Sequence, residues 1–331
     1  MTATAAPDVD IVVRAATAAD ASALAEIERR SPMVSGDVRV TVDRGDDYFA
    51  SARLMEASDV VIAEVDGEPA AVHCAAFHHI RLGGEVLRVC YVHHLRVAAQ
   101  HQGQGLFGRL KKFAVPRYPT DLAGSYAWVA SGNSRSRGLA PDIAPWDVEV
   151  ARRQIDVEAA AGRAFGRPAT ADDADHIVDL LNSSHAHEEF FLPYTVESLT
   201  ARLDRAPDLY SWGDLWLTDG AVLGVWPAGL SIQVITETPD SKSVHRDAVV
   251  LDYGVAPGAE DDLLKLTRAW CSRAADEGLD SLATFTSPPS PNWSVGADLP
   301  HSARHFDLIA TRIDEPAGLA GSGIHVDPIY Y

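Results

Sequence analysis

The segment Tyr91–Leu110, YVHHLRVAAQHQGQGLFGRL, constrains this chain more than any other. An apolar-rich strand pattern ends at Val97, a short loop carries Gly103 and Gly105, and a helix-compatible run, LFGRLKKFA, follows at once. Glycine lets a backbone fold tightly around an anion. The first turn of the following helix offers unpaired N–H groups and the positive end of a dipole. Such a device holds phosphates. It is not a Walker loop, because no Gly-Lys-Ser/Thr follows. Gly103-x-Gly105-x-x-Gly108 has the spacing of a dinucleotide fingerprint, but it is not taken as one because no βαβ unit is read around it.

A second feature is an internal echo. Arg14-Ala-Ala-Thr17-Ala-Ala-Asp20 and Arg167-Pro-Ala-Thr170-Ala-Asp-Asp173 lie 153 residues apart. Each places Thr three residues before Asp, which resembles a capping box at a helix start. Leu95-Arg96-Val97-Ala98 and Tyr253-Gly254-Val255-Ala256 form a later echo in the same order. At 331 residues the chain is long enough for two domains. The echoes predict two copies of one plan, residues 1–160 and 161–331, joined near the AAAGRAFGRP stretch.

Strands are expected near residues 11–16, 60–66, 69–82, 86–97, 125–130 and 148–155, and helices near 18–31, 44–57 and 104–115. The second half predicts helices near 171–184, 195–205 and 259–276. Its strands fall near 214–219, 221–226, 247–255, 281–287 and 305–313. This is an α/β (α+β) layer fold in which each copy has a mixed, mostly antiparallel sheet flanked by helices. Where the first copy has its glycines, the second has Glu260-Asp261-Asp262. Acids suit a helix start but repel a pyrophosphate, so the second copy is expected to have lost anion binding.

The net charge of −19 argues against a nucleic-acid partner and is compatible with a cationic acceptor. Arg109, Lys111 and Lys112 form a local exception on the helix after the glycine loop. Cys74, Cys90 and Cys271 have no metal spacing and read as buried thiols. No signal peptide or apolar run of roughly 18 residues is visible, so a cytoplasmic protein without membrane partners is expected. His185-Ala-His187-Glu188-Glu189 reads as a loop bordering an acceptor cleft, and no metal is assigned.

At Tyr91–Leu110 the chain resembles the Gcn5-related N-acetyltransferases, the GNAT superfamily. Their shared element is a strand ending in a Leu-x-Val-like triplet, a loop, then Arg/Gln-x-x-Gly-x-Gly/Ala opening a helix. Gln100–Gly105 matches the letters. Gln102–Phe107 matches the distance from Val97 and is preferred, with Phe107 in place of the last small residue. The resemblance implies tandem GNAT-like domains with a degenerate C-terminal copy. It also implies acyl transfer from acetyl-CoA, or another acyl-CoA, to the amine of a small molecule by direct attack. Backbone groups of Leu95, Arg96 and Val97 would then pair with the pantetheine arm. Amides of Gln102, Gly103, Gln104, Gly105, Leu106, Phe107 and Gly108 would hold the pyrophosphate. Asn133 and Arg137 would form a second cofactor contact; a turn residue is the alternative for Asn133. An amide near Leu95 would polarise the thioester.

Strand alternation puts Tyr91, His93, Leu95 and Val97 on one face and His94 and Arg96 on the other. His93 is the candidate base, with a structural histidine as the alternative; His94 reads as structural. Many relatives carry a tyrosine where this chain has Ala140. Tyr91 and the terminal Tyr330-Tyr331 are candidate acids. Acceptor contacts are expected around Ser35–Tyr48. Two other readings are a non-catalytic acyl-CoA-binding or regulatory module, and an O-acyl or long-chain acyltransferase.

Overall fold

The Arg-x-x-Thr-x-x-Asp echo folds the same way twice. Thr17 donates its N–H and Oγ1 to Asp20 Oδ2 at 2.7 and 3.0 Å, while Arg14 grips both oxygens of that carboxylate. Thr170 donates the same two groups to Asp173 Oδ2 at 2.9 and 3.1 Å, and Arg167 grips Asp173. In both places the box satisfies N–H groups that a helix start leaves unpaired.

The computed structural model describes residues 10–35, 37–138, 142–288, 297–319 and 323–330. The first half contains strands β1 (Ile11–Ala15), β2 (Met33–Ser35), β3 (Val38–Asp43), β4 (Ala57–Val65), β5 (Glu68–Leu82), β6 (Glu85–Val97), β7 (Gly124–Ala130) and β8 (Val150–Asp156). Its helices are α1 (Ala21–Arg29), α2 (Ala50–Leu54), α3 (Leu106–Ala114), α4 (Ser134–Arg137) and α5 (Val157–Ala160). The second half contains β9 (Arg167–Pro168), β10 (Leu215–Leu217), β11 (Ala221–Trp226), β12 (Gln233–Glu237), β13 (Lys242–His245), β14 (Asp247–Val255), β15 (Ser281–Thr286) and β16 (His301–Thr311). Its helices are α6 (Ala174–Ser184), α7 (Val196–Leu203) and α8 (Glu260–Asp276).

Twelve strands form one mixed, mostly antiparallel sheet in the order β1-β4-β5-β6-β7-β16-β8-β15-β14-β11-β10-β9. Read inward from either edge, the order meets the same counterparts: β1 answers β9, β6 answers β14, and β8 answers β16. The centre is exchanged. β16, from the second half, lies antiparallel between β7 and β8, while β8 pairs with β15. Among the described residues, β6–β7 and β14–β15 are the two parallel pairs. Since α3 connects β6 to β7, a βαβ unit does surround the glycine loop, contrary to the sequence-based expectation.

Hydrophobic alternation along β4 explains the layers. Val61, Ala63 and Val65 pack with Ala71 against Leu106, Leu110 and Ala114 of α3. Val60 and Ile62 pack with Val72 and Cys74 against Leu24 and Ile27 of α1 on the opposite face. Burying Leu106 and Leu110 contributes about 2 kcal/mol each, which fixes α3 and the loop before it. A larger core joins the halves through Tyr91, Tyr126, Phe190, Tyr210, Leu251 and Ile329.

One expected element needs correction, and one was not expected. The helix near 44–57 shrinks to α2, and residues 33–43 form a hairpin instead. That hairpin belongs to a four-stranded sheet, β13-β12-β3-β2, in which β3 pairs with β12 of the other half. Val38, Val40 and Val42 alternate with Arg39, Thr41 and Asp43, a strand pattern too short to stand out unaided. No helix among the described residues is long and apolar enough to cross a membrane.

Candidate functional site

β6 runs past its parallel neighbour. It pairs with β7 from Val89 to Tyr91, against Gly124 to Tyr126, and the register goes no further. Leu95, Arg96 and Val97 continue along β5 on the other side, at Val72↔Arg96 and Ala71↔Val97. Among the described residues no strand pairs their backbone on the side toward β7, an edge that leads into the loop. The Leu95 and Val97 carbonyls accept from the side chains of Arg96 and Gln102 at 3.2 and 3.1 Å. An extended ligand can hydrogen-bond such an edge as an added strand does.

The loop at the end of this edge has its two glycines in the left-handed region, Gly103 at φ 80° and Gly105 at φ 74°. Residues with a Cβ resist that conformation. Gly105 caps α3, so the N–H groups of Leu106, Phe107 and Gly108 occupy its first turn. A Cβ added at Gly103, Gly105 or Gly108 would meet no atom within 4 Å, so the cradle is open on that side. Gln102 ties the loop back by donating to the Val97 carbonyl at 3.1 Å, and Gln104 donates to the Gln100 carbonyl at 3.3 Å. Arg109, Lys111 and Lys112 are exposed on α3 and give this corner positive charge in an acidic protein.

Strict alternation along β6 fails at His94. Four residues from His93 to Arg96 oppose three from Cys74 to Val72, and His94 adopts a positive φ of 45°. This is a β-bulge, which re-aims the side chains around it. Tyr91 therefore joins the core shared with Tyr126, whereas Leu95 and Val97 pack on the α3 side. The four do not share one face. The bulge instead brings His94 against His93, with their Nδ1 atoms 2.8 Å apart. Tyr91 stacks on His93 at 5.0 Å between ring centres and contacts Tyr126 at 5.1 Å.

Behind the two histidines lies a buried ion pair absent from the sequence reading. Arg44 Nε donates to Glu28 Oε2 at 2.8 Å, and the two residues are 6% and 2% exposed. Arg44 Nη2 meets His94 Nε2. A guanidinium only donates, so His94 Nε2 accepts and the neutral ring carries its hydrogen on Nδ1. That hydrogen points at His93 Nδ1, which must accept. His93 then carries its hydrogen on Nε2, a buried atom without a hydrogen-bond partner among the described residues. Burial, helped by the Arg44 guanidinium, pushes the His93 imidazole down to about 3 and His94 well below its ordinary value. Both rings are neutral near pH 7, and His93 presents an N–H.

Asn133 caps α4, accepting from the Ser136 N–H at 3.1 Å, which is the turn role weighed for it. Arg137, at the end of α4, has its Nη1 buried without a partner among the described residues. Ala140 and Tyr331 lie outside the described residues, and Tyr330 ends a 3-10 turn, Pro328–Tyr330. A cavity of about 370 Å³ opens between the halves, with His78, Tyr126, Trp128, Phe190, Tyr194 and Asp327 in its walls. Tyr126 donates to His78 Nε2 at 2.9 Å or accepts from it, and burial pushes His78 down to about 4. The loop after His185 reaches this cavity; the Ser35–Tyr48 segment does not.

The counterpart in the second half is built differently. Glu260, Asp261 and Asp262 fill the first turn of α8, and Glu260 Oε1 accepts from the Gly258 N–H at 3.2 Å. The chain's last turn packs against β14, and Arg202 ties Asp252 of that strand to Asp327.

No protein-family profile matches the sequence, and no curated protein matches it. Solved structures do. The chain is similar to Saccharomyces cerevisiae N-myristoyltransferase with bound myristoyl-CoA and inhibitors, with TM-score 0.65 and 12% identity over 92% of this chain and 81% of that one. A second structure of that enzyme with bound myristoyl-CoA gives TM-score 0.63 and 10% identity, over 92% and 84% of the two chains. A GCN5-related N-acetyltransferase from Sphaerobacter thermophilus gives TM-score 0.52 and 14% identity, over 92% and 97%. At these identities the likeness concerns the fold. The chain has the fold of the GNAT superfamily.

Proposed function

We propose that the chain is an acyl-CoA-dependent N-acyltransferase that moves an acetyl or other acyl group onto the amine of a small molecule. Residues 1–160 form the working unit, and residues 161–331 repeat its plan without a cofactor site. The observation that carries this reading is the open edge of β6 running directly into the left-handed glycine loop and the first turn of α3. The edge suits a pantetheine arm paired along Leu95, Arg96 and Val97. The loop suits a pyrophosphate held by amides from Gln102 to Gly108, with the exposed Arg109, Lys111 and Lys112 of α3 supplying positive charge beside it. Two structures of similar fold hold myristoyl-CoA, which supports an acyl-CoA as co-substrate.

In the proposed reaction an amine in the cavity attacks the thioester carbonyl, negative charge gathers on its oxygen, and CoA leaves as the thiol. The hydrogen-bond chain supports a role for His93 as a neutral N–H donor to that oxygen, in place of the base expected from sequence. The amide near Leu95 would be a second donor. Tyr91 holds the His93 ring by stacking and borders the cavity only through Tyr126. The aromatic walls suit an amine held by its apolar or cationic face before it loses its proton, while Asp327 is already paired with Arg202.

Gly108→Glu tests the cofactor site without straining the backbone, since Gly108 is helical and faces open space. Calorimetric titration of the full chain with acetyl-CoA should give one site. The variant should bind more than about tenfold more weakly, because a carboxylate would face the pyrophosphate. Its Tm should not fall, because acids favour a helix start and Glu outranks Gly in a helix. Equal affinity in the two proteins would remove the phosphate role of this loop, and absence of binding to any acyl-CoA would remove the transferase reading.

A further inference from the structure

At the wall of the cavity between the halves, α6 runs into a buried histidine whose surroundings are chemically incomplete. The His185 ring packs against Phe191 and Tyr253. Its Nε2 lies 2.9 Å from the Tyr253 carbonyl oxygen, and its Nδ1 lies 2.7 Å from Glu188 Oε2. A carbonyl oxygen only accepts, so Nε2 carries a hydrogen and the lone pair of a neutral ring sits on Nδ1. That lone pair faces a carboxylate oxygen in a buried place. A cation must lie between them, either a proton or a metal ion.

Three observations favour the metal. First, a second imidazole aims at the same oxygen: His325 Nδ1 is 3.4 Å from Glu188 Oε2, and the two histidine rings are 4.5 Å apart. The chain end is held there by backbone pairing, with the His325 N–H donating to the Glu189 carbonyl at 2.8 Å. Second, Glu188 Oε1 is buried with no partner among the described residues. One proton on His185 satisfies one contact, and a hydrogen on His325 Nδ1 can serve the same oxygen, but Oε1 stays without a partner among the described residues. Third, the Tyr253 carbonyl receives the other N–H of His185, the arrangement that orients histidines bound to metals.

We propose that His185, Glu188 and His325 bind a divalent transition-metal ion, with zinc the best match to two imidazoles and a carboxylate. Their donor atoms all lie within 4.8 Å of one another. At zinc–ligand distances of about 2.0–2.1 Å, tetrahedral donor atoms stand about 3.3 Å apart. The gap between His325 and Glu188 has that size, and the gap between His185 and Glu188 must open by about half an ångström. Three protein ligands leave a fourth place for water or another donor, and His325 itself lines the cavity between the halves. The ion would tie residues 323–327 to the end of α6 and set one wall of that cavity. Cys74, His93 and His94 also lie close together, but Arg44 already brings a cation to His94.

The test titrates chelator-stripped full-length protein with Co²⁺ and Zn²⁺, read by ligand-field absorption and by calorimetry. One ion per chain is expected. His325→Ala and Glu188→Gln should each weaken binding at least tenfold, while His187→Ala, at an exposed neighbour, should leave it unchanged. His325→Ala is the decisive variant because His325 is less buried than the other two, and circular dichroism with a thermal melt checks its fold. Equal binding by the wild type and His325→Ala would overturn the site. So would a stripped, folded wild type that takes up neither ion.

Discussion

Arg202→Met is expected to destabilise the protein by about 3–5 kcal/mol, the cost of stranding a buried charge after removal of its partner. Arg202 is buried between two aspartates. Its Nε donates to Asp252 at 3.1 Å, and its two Nη atoms donate to Asp327 at 2.8 and 3.1 Å. Tyr194 and Tyr210 donate to the same Asp252 carboxylate at 3.1 and 2.8 Å. Methionine fills the space but leaves the buried Asp252 and the partly buried Asp327 without their shared cation.

The Asp327 contribution to the pH dependence should reverse sign. In the wild type, burial alone would raise the Asp327 carboxyl, but the Arg202 guanidinium outweighs it and holds the group below its ordinary value. Its stabilisation is therefore present above the unfolded value of about 3.9 and is lost only as pH falls through the lower folded value. Without Arg202, burial raises the folded value above the unfolded one. The variant should then gain stability relative to the wild type as pH falls from 8 toward 5. Over that range both proteins lose stability through His73, His78, His93 and His94, which are buried neutral. Thermal melts across that range decide it, and parallel curves would show that the network contributes little.

The second large effect concerns His93. His93→Ala should lower kcat by about 10²–10³-fold if its N–H stabilises the developing oxyanion. His93→Gln should stay within about tenfold of the wild type, because a glutamine amide can place an N–H near the same position. The ratio of variant to wild-type kcat/KM should be constant from pH 5.5 to 8.5, since burial and Arg44 keep the ring neutral down to about 3. A base titrating near its ordinary value would instead make the ratio change as pH passes 6.5. Such a change, or a glutamine variant as slow as the alanine one, would return His93 to the role of base.

Features governed by neighbouring residues were legible in the sequence. Gly103 and Gly105 announce a left-handed loop because few other residues tolerate it, and Thr17–Asp20 and Thr170–Asp173 announce caps across three positions. The bulge at His94 was not legible. Nothing in Val92-His93-His94-Leu95 marks it, because a bulge is a mismatch with the partner strand, here at Val72 and Cys74. Arg44 and Glu28 are 16 residues apart, and Arg202 and Asp327 are 125 apart, with no spacing rule to connect them. His325 was unreadable for the same reason, since backbone pairing with Glu189 brings it to His185. The Val38–Val42 alternation was present, but its partner β12 lies in the other half.

The exchanged strands at the centre of the sheet make the two halves a single folding unit. Cutting the chain near residue 160 would take β16 away from β7 and β8 at once. β7 would lose its partner from Ser125 to Ala130, and β8 would no longer connect to the rest of its own half. A fragment of that kind exposes fresh strand edges, which favour self-association over folding. The second copy therefore has a reason to persist even without a ligand of its own: it completes the sheet that positions the first copy's loop. A circularly permuted chain opened in a surface turn should tolerate the change far better than any truncation at the midpoint.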